Sequence, residues 1–589
     1  MEDQKRVQLA VGLSLVVLVG WTFLNNKLAP PPPPAVSSIG PGASSPSSPT
    51  PSAATPSAAA PAAGAPAAPV ALAAEQRTVI ERSGMYRVEL TNHGAGITSF
   101  EVLDPKYFSR EVRRLVLKDG QPVADRRISD GPSQLMNSYR PALLVRLPDS
   151  GLALPEQQVF TLEKNEVLPD QRQRVVYALE TAELRLQKTF MFAPNSFQVD
   201  VSIDLQNRKA TPVSYHVELG LEGYQDPTQK AGSMFSPRVP QNEVLWDIAG
   251  KRYSLSLDNL RENKIDADDL RGNMRWLAIG QQYFILAVAL PSGPEVGDKL
   301  GKARADNNGA LQASVEFAAQ TLQPNQTANL QLAVYGGPKL PELLDDVAVS
   351  GQSAGLTSSI DYTRGLKILV RSLLWTLRQL DNLVHNWALA IILLTCLVKL
   401  LTLYPSHKSM QSMKKIAKLK PEIDKLQKEY ADDKGKLQEE LTKLYRKHGA
   451  NPVGGCLPLL IQMPIYFALY SMLGNAVELY RVKLLWIPDL TAADPLFILP
   501  LVTGALMFGQ TKLTPTPADP QQKMMTVLMP VMFTVFSIFL PAGLTLYIMT
   551  NTILGMAQQF LMNRNKDKEP QAAVVPASRA KQPTPRPRR

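Results

Sequence analysis

The last third of this 589-residue chain is dominated by five apolar runs, at 387–404, 457–473, 496–511, 524–540 and 544–561. Helices built from runs of this length are suited to crossing ~30 Å of hydrocarbon, where every backbone polar group must be satisfied internally. The last two runs adjoin, and a single helix over 524–561 would be ~57 Å long, nearly twice that thickness. Pro541-Ala542-Gly543 between them reads instead as a tight turn joining two spans. A sixth run, 7–24, follows Lys5-Arg6. The residues after it, Asn25-Asn26-Lys27-Leu28-Ala29, lack a small-x-small cleavage pattern, and no Cys adjoins them for lipoprotein processing. Residues 1–24 are therefore expected to be an uncleaved anchor, and the chain to have six transmembrane helices.

Charge sets the orientation. The formal net charge is +11, a value that by itself would admit nucleic acid as a partner. Its location points elsewhere. Segment 407–450 has a surplus of five cations and the tail 561–589 a surplus of six, so the remainder is neutral overall. Both basic segments belong on the cytoplasmic side by the positive-inside rule. Six spans with both termini inside satisfy that, and they place everything between the first two spans outside.

The outside portion has three parts. Residues 25–74 form a Pro/Ala-rich linker, with thirteen prolines and no charge or aromatic residue over 30–74. Such a composition cannot bury enough apolar surface to offset chain entropy. Over 75–340 the pattern has period two, clearest where Phe197, Val199, Val201, Ile203 and Leu205 alternate with polar residues. Many half-buried strands in series predict an antiparallel β-sandwich domain. Segment 361–385 is amphipathic at helical spacing, with Leu366, Leu369, Leu373, Leu377 and Leu380 on one face and Arg364, Lys367, Arg371 and Arg378 interrupting the run. It reads as a helix lying along the membrane surface, the alternative being a soluble helix packed on the β domain. On the inside, 407–450 repeats apolar residues at three- and four-residue spacing from Met413 to Tyr430 and from Leu437 to Leu444, which predicts a helical hairpin. Pro421 is expected to kink or restart its first arm.

Lys399 is the only charged residue inside any of the six runs. An intramembrane cation carries a penalty of ~2.5–3.5 kcal/mol on insertion scales, so its presence calls for a reason. Snorkelling is one. Thr395 and Thr402 share its helical face, however, and make a polar stripe. The last run has a second stripe in Tyr547, Asn551 and Gln558, while Gln462 and Gln510 add amides from two further runs. These residues either hydrogen-bond between helices or line a hydrated cavity around one fixed positive charge. No Asp or Glu lies within the runs, which disfavours a proton relay or an aspartyl protease. HExxH and Walker A motifs are absent, and Gly94-Ala95-Gly96 lacks the third glycine of a dinucleotide loop. Two cysteines, Cys396 and Cys456, and five scattered histidines give no disulfide scaffold or zinc site. No enzyme activity, cofactor or metal is expected.

The stretch NPVGGCLPLLIQMPIYFALYSML at 451–473 closely resembles the YidC/Oxa/Alb insertase family, as do LWIPDL at 485–490, QQKMMTVLMPVMFTVF at 521–536 and LPAGLTLYIMTN at 540–551. The likeness covers nearly the whole chain apart from the linker. It implies a multi-domain protein of a Gram-negative inner membrane, with a periplasmic all-β supersandwich, a five-helix insertase core at 386–562, the N-terminal anchor, a cytoplasmic helical hairpin and a basic tail at 563–589. It further implies a hydrophilic groove open to cytoplasm and lipid, in which Lys399 takes the place of the family's usual Arg and Thr395 matches a family threonine. The implied partners are nascent inner-membrane proteins, the Sec translocon, the ribosome and membrane lipids, with no DNA. A small-solute transporter or channel is the alternative, weakened by the absence of a repeat between halves. A scaffold in which the spans merely anchor the β domain would not need the polar stripes.

Overall fold

The computed structural model describes residues 75–564 apart from 156, 230–238, 263–269, 294–295, 363–364, 432, 450–451 and 514–519. The expected anchor at 1–24, the linker, the tail beyond 564 and the Cys456 side chain lie outside the described residues.

Period-two patterning in the first half becomes antiparallel sheet. Nine strands pair in the order Lys251–Leu255, Glu243–Ile248, Met274–Gly280, Phe284–Ala289, Thr327–Pro338, Gln198–Asn207, Leu184–Phe192, Gln173–Glu180 and Thr161–Val167. A five-stranded sheet contains Lys299–Ala305, Ala310–Glu316 and Glu218–Tyr224, and a four-stranded sheet contains Arg77–Arg82, Tyr86–Thr91 and Gly96–Val102. Inward residues of all three sheets share one apolar core. The alternation explains why. In Leu184–Phe192 every second residue is buried, and the third inward position is a lysine.

That residue, Lys188, is 0% exposed. Its Nζ donates to the carbonyls of Gly94 (2.6 Å), Ala95 (3.3 Å) and Leu143 (2.6 Å). A buried cation is tolerable only when its hydrogen bonds are all made. Here three N–H groups meet three carbonyls, from turns leading into the four-stranded and five-stranded sheets. The Gly94-Ala95 turn thus serves as an acceptor cradle.

The second half is helical. Helix α1 spans Lys367–Val384, α2 Trp387–Lys418, α3 Lys420–Glu429, α4 Lys434–Lys447, α5 Pro452–Asn475, α6 Ile498–Leu513, α7 Pro520–Ser537 and α8 Ala542–Arg564. Residues 425–444, spanning parts of α3 and α4, belong to a unit separate from the body that contains the β domain and the rest of the helices. In α1, Val370, Leu373, Leu374 and Leu377 are buried against α2 and α5, while Ile368, Trp375 and Leu383 remain exposed. Asn386 caps α2 by accepting from the Leu389 N–H at 3.1 Å. The helix does not stop at Pro405, where the sequence reading had placed its end, but runs on to Lys418. A proline removes one backbone bond and kinks a helix without necessarily ending it. The next helix then restarts with Pro421 at its second residue, a position where the missing N–H has no intrahelical partner to lose.

The chain breaks between α7 and α8, and the turn is tied down from outside. The Ala542 and Gly543 N–H groups donate to Ala492 and Leu490 carbonyls at 2.7 and 2.8 Å. Among the described residues one helix, Trp387–Lys418, is long and apolar enough to cross a membrane by length and composition, and Ile498–Leu513 and Leu528–Ser537 are shorter apolar helices.

Several contacts fasten the β domain to this bundle, among them the Gln282 amide donating to the Gly474 carbonyl. Arg378 of α1 binds both Glu342, on the short helix Pro341–Asp345, and buried Glu478, just after α5. Tyr480 packs on the rings of Tyr283 and Phe284, with centroids 5.3 and 5.4 Å apart. Arg481 donates to the Phe108 carbonyl at 2.9 Å and pairs with Asp130 at 3.1 Å.

Buried Lys339 lies at the end of the strand Thr327–Pro338, and its Nζ donates to the Ser359 carbonyl at 3.4 Å. Burial, assisted by nearby Arg252, pushes its ammonium down to about 7. An unfolded lysine titrates near ~10.4, so between those values the unfolded chain holds one more proton than the folded one. Stability contributed by Lys339 therefore rises with pH across that window and is lowest below it. Lys339→Met should flatten the increase in denaturation midpoint of detergent-solubilised protein between about pH 7 and pH 9. An unchanged slope in the variant would contradict this assignment.

Candidate functional site

The polar residues singled out from the sequence fall on four helices, with Lys399 on α2, Gln462 on α5, Gln510 on α6, and Tyr547 and Asn551 on α8. Helix α8 packs against α2, α5 and α6. Its stripe therefore faces all three of the other polar contributors.

Two hydrogen bonds join α5 to α8. Gln462 Nε2 donates to Tyr547 Oη at 2.9 Å, and Asn551 Nδ2 donates to Tyr466 Oη at 3.3 Å. The rings of Tyr466 and Tyr547 meet edge to face, with centroids 5.7 Å apart. Each tyrosine takes its bond from an amide on the opposite helix, an arrangement set by four-residue spacing on both. Tyr547 is 0% exposed. This part of the set is an interhelical clasp, the first of the two readings left open by spacing.

The threonines beside Lys399 are satisfied within their own helix. Thr395 Oγ1 donates to the Ile391 carbonyl at 2.7 Å, and Thr402 Oγ1 to the Val398 carbonyl at 3.0 Å. Both are buried. Lys399 is different. Its side chain is half-buried and forms no ion pair among the described residues. A Cβ placed on Gly555 of α8 would lie 3.5 Å from Lys399 Nζ and 2.9 Å from Gln510 Nε2. The ammonium and the amide thus converge over the one side-chain-free position on this stretch of α8.

Gly555 and Tyr466 are the residues that sequence reasoning missed. The signal was present, since Tyr547, Asn551 and Gly555 recur every four residues, and the glycine looked like a gap in the stripe. Gln558 continues that face, and its Nε2 is buried without a hydrogen-bond partner. The site therefore offers a cation and amide groups with no carboxylate. Its chemistry suits recognition of carbonyl or carboxylate oxygens and supplies no proton relay. Among the described residues no group of three His, Cys, Asp or Glu could hold a metal.

Outside this seam the helices present apolar side chains to their surroundings. Leu400, Leu401 and Tyr404 of α2, Phe467 of α5 and Phe560 of α8 are all exposed. Contiguous apolar surface on this scale is unfavourable in water and natural in lipid.

Residues 379–569 match the family model described as the 60Kd inner membrane protein, and residues 133–376 match the one described as the YidC periplasmic domain. A protein of Anaeromyxobacter sp. (strain K), described as a membrane protein insertase YidC, is 36% identical over 98% of this chain and 99% of its own length. One of the same description from Anaeromyxobacter dehalogenans (strain 2CP-C) is 34% identical over the same shares. A third, from Aromatoleum aromaticum, is 30% identical over 97% of this chain and 99% of its own. Two domain models in the expected order and relatives aligned from end to end place the whole chain, β domain and helical bundle together, in the membrane protein insertase YidC family.

Proposed function

We propose that this chain inserts proteins into the bacterial inner membrane, and that the seam around Lys399 is where an entering polar segment is held. The observation that carries this is the convergence of Lys399 and Gln510 on Gly555, without a carboxylate in the seam, while Gln462 and Asn551 bond to tyrosines and Thr395 and Thr402 to carbonyls of their own helix. A fixed cation among amides lowers the penalty of bringing a polar or acidic tail partway into the bilayer. The apolar segment that follows then leaves sideways into lipid, and its burial, worth ~0.8 kcal/mol per CH₂, drives completion without ATP.

In this reading six spans have both termini in the cytoplasm and the β domain in the periplasm. The anchor at 1–24 is the first span, and α2, α5, α6, α7 and α8 provide the other five. The basic hairpin and tail engage the nascent chain, the ribosome or anionic headgroups electrostatically, and the Sec translocon is a partner for larger substrates. What supports the topology is the placement of both cationic surpluses and the apolar surface around the bundle.

The test is cotranslational photocrosslinking with full-length protein in membranes. A photoreactive residue at Gln510 should give adducts with a nascent membrane protein, and one at exposed Trp375 on α1 should not. Absence of Gln510 adducts would sink the groove. Lys399→Arg is expected to keep activity, because charge is retained, and Lys399→Glu to impair substrates with acidic tails. Gly555→Ala should be mild, since a methyl group meets only the flexible ends of two side chains. Gly555→Leu should expel both and reduce insertion roughly tenfold, equivalent to about 1.4 kcal/mol.

A further inference from the structure

A cavity of about 400 Å³ lies between the β domain and the end of the helical bundle. Its roof is the turn holding Gln281 and Gln282, with Gln134 beside it. Its floor is Gly474 at the end of α5, Thr491 in the following loop, and Pro541 at the α7–α8 turn. Two of the contacts that fasten the domains also border it. Tyr480 packs edge to face on Phe284 and at a tilt on Tyr283, and the Gln282 amide donates to the Gly474 carbonyl.

The lining is polar, with the arginines Arg113 and Arg481 and the carboxylates Glu111, Asp226 and Asp489. Arg113 is paired with Asp226 at 2.6 Å and with Glu111 at 3.0 Å, and Arg481 is paired with Asp130. Asp489 accepts from the Arg481 N–H and from the N–H and hydroxyl of Thr491, so these charges are already engaged. The site's unused capacity is amide and hydroxyl. The side chains of Gln134 and Gln281 make no hydrogen bond among the described residues. Tyr224, another wall residue, has a buried hydroxyl without a partner. A carboxamide presents one acceptor and two donors, which match the N–H and C=O of a peptide bond whatever the side chains are. Cavities of ~300–1,000 Å³ suit a ligand of a few residues.

Position selects among possible occupants. The floor is the loop to which the α7–α8 turn is tied through Ala492 and Leu490. In the proposed topology this is the periplasmic end of the bundle, so a chain that has crossed between these helices meets this cavity first. We infer that the cavity binds an extended, polar segment of the translocated polypeptide through its backbone, and hands it off toward the β domain. This rests on the insertase reading given above.

Photoreactive residues at Gln281 and at Gln134 in the full-length protein, in membranes, probe this directly. A substrate with a long polar translocated tail should give adducts that map to the tail, alongside adducts at Gln510. Adducts at Gln510 with none at Gln281 or Gln134 would overturn the cavity assignment and leave the insertase reading intact. Absence at all three would overturn both. As an independent measure, Gln281→Trp fills the cavity. It should lower insertion of the long-tailed substrate several-fold and leave a substrate with a very short translocated tail unchanged. Equal loss for both substrates would mean a general structural defect and would count against the inference.

Discussion

Hydrocarbon offers no hydrogen bonds, and the helical half of this protein is organised around that deficit. Thr395, Thr402, Thr503, Thr534, Thr550 and Thr552 each donate to the carbonyl four residues back in their own helix. Gln462 and Asn551 are taken up by the two tyrosines of the α5–α8 clasp. Among the described residues of the helices, Lys399 forms no ion pair, and the Gln558 amide and one carboxylate oxygen of Asp381 on α1 are buried without a hydrogen-bond partner. Lys399 and Gln558 lie in one seam, and Asp381 lies on α1.

The β domain solves the equivalent problem by a different route. One of its buried lysines, Lys188, is answered by three carbonyls drawn from turns entering two other sheets. One cation is sequestered and spent on structure, and the other is held half-exposed beside amides. The difference lies in what surrounds each, since both are lysines at inward-facing positions of a regular element.

Much of this was legible beforehand. Period-two alternation located the sheets, and Lys188 itself sits on the inward register of Leu184, Leu186, Phe190 and Phe192. The break at Pro541 was legible too, since proline cannot continue a preceding helix without losing a backbone bond and is tolerated just before a new one, which here starts at Ala542. Less visible were features that depend on partners distant in the chain. The Gln462–Tyr547 and Tyr466–Asn551 pairs are each 85 residues apart, and spacing within one helix cannot choose between them. Gly555 matters through what it lacks, which becomes apparent only when Lys399 and Gln510 are brought over it. Pro405 misled because a local rule about helix ends was outweighed by the intact bonds on either side of it.

The unbroken course of α2 has a mechanical consequence. Thirty-two residues make a rod of about 48 Å, well beyond the ~30 Å of hydrocarbon. Its far end is braced where Lys414 Nζ donates to the Met562 carbonyl of α8 at 3.0 Å. Pro405, lacking one backbone bond, is the natural fulcrum, and Lys399 sits less than two turns from it. The bend allowed at Pro405 therefore sits between the Lys414 brace and Lys399, so the angle of α2 at that point sets how far the ammonium lies from α8.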